Sequence, residues 1–151
     1  MNRLMKNISF LSLGVAACLS VDVASAADFS SKIETRQGEF LSMADNLRTM
    51  KKLEDGRDSD WEQIKTLALE NTKIMVELPT LFPEGSVEGS KSKATVWSKW
   101  DKFESGLHSL KQNYEAMVIA ANEQDAKALK SAIKSADRSC KSCHRSFKTK
   151  W

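Results

Sequence analysis

Near the C-terminus the run Cys140-Lys141-Ser142-Cys143-His144 brings together residue types that can do covalent and metal chemistry. On a helix, positions i, i+3 and i+4 share a face, so the two thiols and the imidazole are expected to point the same way. Two thiols so placed can add to the two vinyl groups of a haem, and the adjacent imidazole can reach the iron from the same side. A Cys-x-x-Cys-His run is the attachment signature of c-type haem, and histidine is a common proximal ligand of haem iron. The expectation is one covalent haem c on Cys140 and Cys143, with His144 as the axial iron ligand.

Two other chemistries use the same residue types. A redox Cys-x-x-Cys dithiol usually sits on a helix N-terminus beside a parallel sheet, and no segment here alternates as a strand does. A structural zinc needs four ligands. Past the first 26 residues the chain offers only Cys140, Cys143, His108 and His144. His108 neighbours the core position Leu107 and reads as a surface or boundary residue rather than a second iron ligand.

The N-terminus sets the compartment. Arg3 and Lys6 form a basic start, an apolar stretch runs from about Ile8 to Leu19, and Ala24-Ser25-Ala26 supplies a small-residue cleavage site. That order is a secretory signal peptide, and the stretch falls short of the roughly 20 residues a membrane-spanning helix needs. Residues 1–26 are therefore expected to be removed and the product to be periplasmic. Cys18 after Val15-Ala16-Ala17 loosely resembles a lipoprotein site, but Ala24-Ser25-Ala26 is the better one.

Residues 27–151 form about 125 residues, enough for one domain with a real core. Taking Arg3, Lys6 and Asp22 from totals of 23 basic and 20 acidic side chains leaves a net charge of about +2. So mild a balance gives no reason to expect a nucleic acid or an anionic membrane as partner. Two cysteines three residues apart are also unlike a disulfide framework, which spaces its cysteines across the chain.

Four segments repeat apolar residues at intervals of three and four. The first, Ser31 to Leu53, opens on a Ser31–Glu34 capping box and carries Ile33, Phe40, Met43, Leu47 and Met50. The second opens on Ser59 with Glu62, after a turn at Gly56 and Asp58, and carries Trp61, Ile64, Ala68, Met75 and Leu78. The third starts near Ala94, with Val96, Trp100, Phe103, Leu107, Leu110, Tyr114, Met117 and Ala121. The fourth starts near Asp125, after Asn122-Glu123, with Leu129, Ile133, Ala136, Cys140, Cys143 and Phe147. Short turns and one crossover from Pro79 to Lys93 make this an all-α antiparallel four-helix bundle.

In this light the chain resembles the cytochrome c′ family, four-helix-bundle cytochromes with the haem motif near the C-terminus. The resemblance spans residues 27–151. It rests on Arg36-Gln37, on Leu78-Pro79-x-x-Phe82-Pro83, on Val96-Trp97 and on Cys140 to Phe147. It implies that the residue four positions after the Arg of the Arg-Gln pair lies over the distal haem face, where low-spin relatives carry a ligating methionine. That residue is Phe40, which has no lone pair to give, so the resemblance implies a five-coordinate, high-spin iron. Met43, one turn on, is the alternative ligand, although methionine is also a common core gap-filler. The same mapping sets Arg36 and Gln37 at the haem edge, where a guanidinium can pair with a propionate. It sets Lys148, one turn after His144, on the proximal side. Trp61, Trp97, Trp100 and Tyr114 read as core or interface aromatics.

Two functions follow from the resemblance: electron transfer with redox partner proteins, and binding of small diatomic gases such as NO and CO at an open iron. A low-spin His/Met electron carrier is the alternative. No general-base histidine stands beside the distal position, so an enzyme is not expected. The family also implies a homodimer through the first two helices.

Overall fold

The computed structural model describes residues 21–54 and 60–150, and of residues 21–28 the backbone alone. The signal-peptide features at Arg3, Lys6 and Cys18, and the turn and cap at Gly56, Asp58 and Ser59, lie outside the described residues. The described chain runs as α1 (Val21–Lys52), α2 (Trp61–Glu77), a 3-10 turn (Leu78–Leu81), α3 (Thr95–Ser98), α4 (Trp100–Asn122) and α5 (Ala126–Phe147). Among the described residues there is no β-strand; a single antiparallel bridge joins Ser92 to Lys148.

α1 begins upstream of the expected Ser31 cap. Val21 to Ser30 contains no glycine or proline and three alanines, so nothing stops the helix there. Ser31 becomes an interior residue whose carbonyl accepts from the Thr35 hydroxyl at 2.9 Å. The third expected helix is interrupted at Lys99, where φ is −134° and ψ 44°. That splits off α3 and leaves α4 to carry the long apolar stripe. α5 starts where expected: the Asp125 carboxylate accepts from the Lys127 and Ala128 amides, both at 2.9 Å, and so satisfies two of the donors a helix start leaves unpaired.

The stripes read from the sequence form the core. Leu47, Met50, Ile64, Met75, Phe103, Leu107, Met117, Leu129 and Ile133 are all buried in one cluster. α4 is the central element, packing closely on both α2 and α5; α1 packs on α2 and meets α5 over a shorter stretch. Trp61 and Tyr114 are buried, whereas Trp97 and Trp100 are half-buried at the core's edge.

The crossover is held from inside. Arg36 of α1 is 2% exposed. Its guanidinium donates to the Leu81 carbonyl at 2.9 Å, the Ser86 hydroxyl at 2.7 Å and the Ser86 carbonyl at 2.6 Å. It also lies over the Phe82 ring, 4.4 Å from its centroid. Gly85 supplies the positive φ of 85° that brings Ser86 round to it, a conformation glycine adopts without steric cost. The far end of the crossover is sewn to the end of α5: the Lys93 amide donates to the Phe147 carbonyl at 2.8 Å and the Thr149 amide to the Lys91 carbonyl at 2.9 Å.

Two stability measurements check this account. Arg36→Ala strands the acceptors that Leu81 and Ser86 present, and is expected to cost about 3 kcal/mol in urea unfolding. Asp125→Ala removes one cap and should cost about 1 kcal/mol.

Candidate functional site

The site is built on the last two turns of α5. With about 100° between successive residues, Leu129, Ile133, Ala136, Cys140, Cys143 and Phe147 fall on one face. Leu129, Ile133, Ala136 and Phe147 are buried, and Cys140 and Cys143 are half-buried against the core. His144 lies on the side of that face nearer α1 and is exposed. The same side carries Asp137, whose carboxylate reaches Lys51 of α1 and Lys141 of its own helix, each at 2.6 Å. Cys143 lies on the opposite side, at the α4–α5 seam. A groove of about 260 Å³ runs there, lined by Lys102 and Phe147 and by small residues including Ser105, Gly106, Ser109, Ser139 and Ser142.

The electrostatics suit neutral chemistry. Burial pushes the Cys143 thiol up to about 11, with the neighbouring Cys140 adding to the effect. Cys140 is raised too, by burial first and then by the Asp137 charge. Partial desolvation against the helix surface, and then the Lys148 charge, lower the imidazole of His144 even though it stays open to solvent, which favours the neutral form that has a lone pair to give. Asp137 is held down at about 2, chiefly by its bonds to Lys141 and Lys51.

A polar chain lies beneath the cysteines. The Asn46 amide of α1 donates to the Asn71 side-chain oxygen of α2 at 2.9 Å, and the Asn71 amide reaches the Met43 carbonyl at 3.4 Å. Asn71 also lies within hydrogen-bond reach of the Tyr114 hydroxyl, which burial and the nearby Cys140 push above the usual phenol range. Asn71 escapes a sequence reading that follows only apolar residues along the stripe. Its position, seven residues after Ile64, is the signal that could have found it.

The expected distal residues are placed as follows. Phe40 is half-buried, with its ring edge-on to Phe82 at 6.3 Å. Met43 is buried in the same core that Cys140 and Cys143 pack against. Gln37 is exposed, Lys148 half-buried and His108 exposed. Arg36 is taken up by Leu81 and Ser86, so in this structure its guanidinium serves the crossover.

The residues present fit a covalent haem better than a compact ion. Among the described residues, no three of His, Cys, Asp or Glu come together around one point to hold a metal. A haem asks for something else: thiols at the ring's periphery and an imidazole toward its centre. Neutral thiols on an apolar face suit addition to vinyl groups, because the thioether product carries no charge into the core. Cys140 and Cys143 would hold the group and His144 would ligate its iron, which supplies reversible one-electron chemistry and an axial ligand position.

A helical bundle whose last helix presents this set defines a monohaem c-type cytochrome. The family model described as Cytochrome C′ matches residues 31–148, and the chain belongs to that family. Proteins of this family carry one covalently bound haem c. Cytochrome c′ of Pararhodospirillum photometricum is 34% identical over half of this chain and 62% of its own length. Cytochrome c′ of Rhodospirillum rubrum is 25% identical over 89% of this chain and 92% of its own. Among solved structures, cytochrome c′ of Shewanella frigidimarina matches with a TM-score of 0.74 at 27% identity, covering 81% of this chain and 97% of that one. A ferrous variant of the Alcaligenes xylosoxidans protein with bound NO shares the fold, with a TM-score of 0.73 at 24% identity over 82% and 97% of the two chains.

The double variant Cys140→Ala/Cys143→Ala is expected to lose all haem colour on a denaturing gel, while either single variant keeps part of it. Asp137→Asn tests the ion pairs. Because the folded-state pKa is depressed, their contribution is present above the unfolded value of about 3.9 and fades as pH falls toward about 2. The variant should lose under 1 kcal/mol near neutrality, as for a partly exposed pair, and show a flatter loss of stability below pH 4.

Proposed function

We propose that the protein is a periplasmic cytochrome with a five-coordinate, high-spin haem iron, which binds small diatomic gases such as NO and CO and passes single electrons to redox partner proteins. The observation that carries this reading is the identity and setting of residue 40. By the family's pattern it lies over the distal face, and phenylalanine cannot ligate. Its ring is packed edge-on against Phe82, so the distal side is apolar. Such a pocket admits uncharged diatomics, excludes anions by the cost of desolvating them and gives bound O₂ no hydrogen bond. The NO-bound variant of the Alcaligenes xylosoxidans protein is a property of that protein, and it is in keeping with this reading. Phe40 and Phe82 neither donate nor accept a proton, so we assign no enzymatic step.

Two further parts belong to the reading. The signal-peptide pattern in residues 1–26 supports export to the periplasm. A homodimer through α1 and α2 is supported by apolar side chains left on their outer faces, with Leu41 68%, Leu69 48% and Val76 62% exposed.

The optical spectrum of the purified ferric and ferrous protein, before and after NO, tests the site. A high-spin spectrum that changes on adding the gas is the expected result. Phe40→Met should convert it to a low-spin, ligand-inert spectrum. A low-spin spectrum with a methionine–iron band in the unaltered protein would instead assign the sixth ligand to Met43 or another methionine, and leave a pure electron carrier.

A further inference from the structure

Charge is spread unevenly along the chain. Residues 27–90 hold eight basic against thirteen acidic side chains. Residues 91–102 hold four lysines, and residues 141–150 three lysines and an arginine, against a single acid, Asp101. The fold unites these two basic segments. Besides the Ser92–Lys148 bridge and the backbone bonds at Lys93 and Thr149, the Thr95 hydroxyl donates to the Ser146 carbonyl at 3.0 Å. Some of this charge is engaged: Lys141 pairs with Asp137 and the Lys93 ammonium donates to the Arg145 carbonyl at 2.9 Å. Glu84 and Glu88 adjoin from the crossover. Even with both counted, this end of the molecule stays strongly positive.

Aromatic rings lie within the same region. Trp97 and Trp100, both half-buried, line a cleft of about 270 Å³ with Phe82 and Glu84. The Trp97 indole is fixed by donating to the Phe82 and Pro83 carbonyls at 3.1 and 2.9 Å. Inward from the cleft the rings are continuous: Trp100 to Phe103 at 5.6 Å, Phe82 to Phe103 at 4.8 Å, and Phe103 to Phe147 at 5.2 Å. Phe147 lies three residues after His144 on α5. An aromatic centre inside a charged rim is the anatomy of a protein–protein interface.

We propose that this end is the docking surface for an acidic electron-transfer protein, whose carboxylates face the lysines and whose apolar contact fills the cleft between Trp97 and Trp100. The inference rests on the haem reading and specifies the chemistry of the redox partner. An acidic protein is favoured over an anionic lipid surface because the site is concave, and a projecting apolar side chain of a protein fills a cleft that a flat anionic sheet leaves empty. Docking here sets the partner beside the ring cluster that leads to the haem-bearing turn. With a haem held by Cys140 and Cys143 and its iron by His144, one electron would pass from ferrous iron to the partner's oxidised centre, leaving ferric iron and a reduced partner.

The test uses the haem-loaded protein, reduced with dithionite and freed of excess reductant. It is mixed by stopped flow with oxidised plastocyanin, an acidic blue-copper protein that accepts one electron as Cu(II) becomes Cu(I). Steered association is steeply salt-dependent, so the second-order rate constant should fall about tenfold between low and roughly 0.2 M salt. Lys99→Glu/Lys102→Glu should lower the low-salt rate about tenfold. Lys99→Gln/Lys102→Gln should lower it about threefold, which guards against a folding defect in the harsher variant. Lys127→Glu/Lys134→Glu makes the same charge change in the first half of α5 and should stay within about twofold of the parent. A salt-independent rate, or equal losses at both sites, would overturn the proposal. So would co-sedimentation with phosphatidylglycerol vesicles that depends on Lys99 and Lys102 while the plastocyanin rate does not. An optical spectrum lacking haem c would mark failure of the underlying haem reading, whereas an intact spectrum with unchanged rates marks failure of the docking site alone.

Discussion

The structure depends on α5 having one inward face that must serve two purposes. That face closes the hydrophobic core through Leu129, Ile133, Ala136 and Phe147, and the same periodicity carries Cys140 and Cys143. A helix cannot rotate one pair of residues inward without the others. The covalent chemistry is therefore aimed by ordinary core packing. His144 follows from the same geometry: one position beyond Cys143, it turns out of the core centre toward the α1 side and into solvent. Core, thiols and imidazole are set by a single angular choice.

The second dependence is on where that helix stops. The bonds from Lys93 and Thr149 fix the end of α5 to the crossover, and Arg36 fixes the other part of the crossover to α1. α1 and α5 meet directly over only a short stretch, where Lys51 pairs with Asp137. The crossover thus does by hydrogen bonding what close helix packing does elsewhere in the bundle. A buried guanidinium is costly to desolvate, and here two carbonyls, a hydroxyl and an aromatic face compensate it.

Most of this architecture is legible in the residues alone. Periodicity places the inward faces of all the long helices, because burying apolar surface is the main driving force of folding and leaves a strong pattern. Asp125 marks the start of α5 because a cap is a local interaction. The features that escape such a reading are non-local or cooperative. The upstream extension of α1 arises from the mere lack of a stop signal: with neither glycine nor proline before it, Ser31 is absorbed into the helix instead of capping it. The break at Lys99 has no glycine or proline to announce it, and the fold alone reveals it. The partners of Arg36 lie 45 and 50 residues away, beyond any local pattern. The Cys-x-x-Cys-His motif is the exception: it declares its chemistry by residue type and spacing alone, while the distal residues need a relative's pattern to give them meaning.

Asn71 bears on a different matter, the uniqueness of the assembled bundle. Apolar stripes are forgiving, and two such helices can slide by one turn, about 5.4 Å, and still bury similar area. An amide in the middle of the stripe removes that freedom. Only in the observed alignment does Asn71 meet Asn46 and the Met43 carbonyl; one turn away it would face hydrocarbon with its hydrogen bonds unmade. A single polar residue thus acts as an indexing pin between α1 and α2, comparable to the lone asparagine that fixes alignment in coiled coils. Because Phe40 and Met43 ride on α1, the pin also sets the height at which these two side chains stand relative to α2.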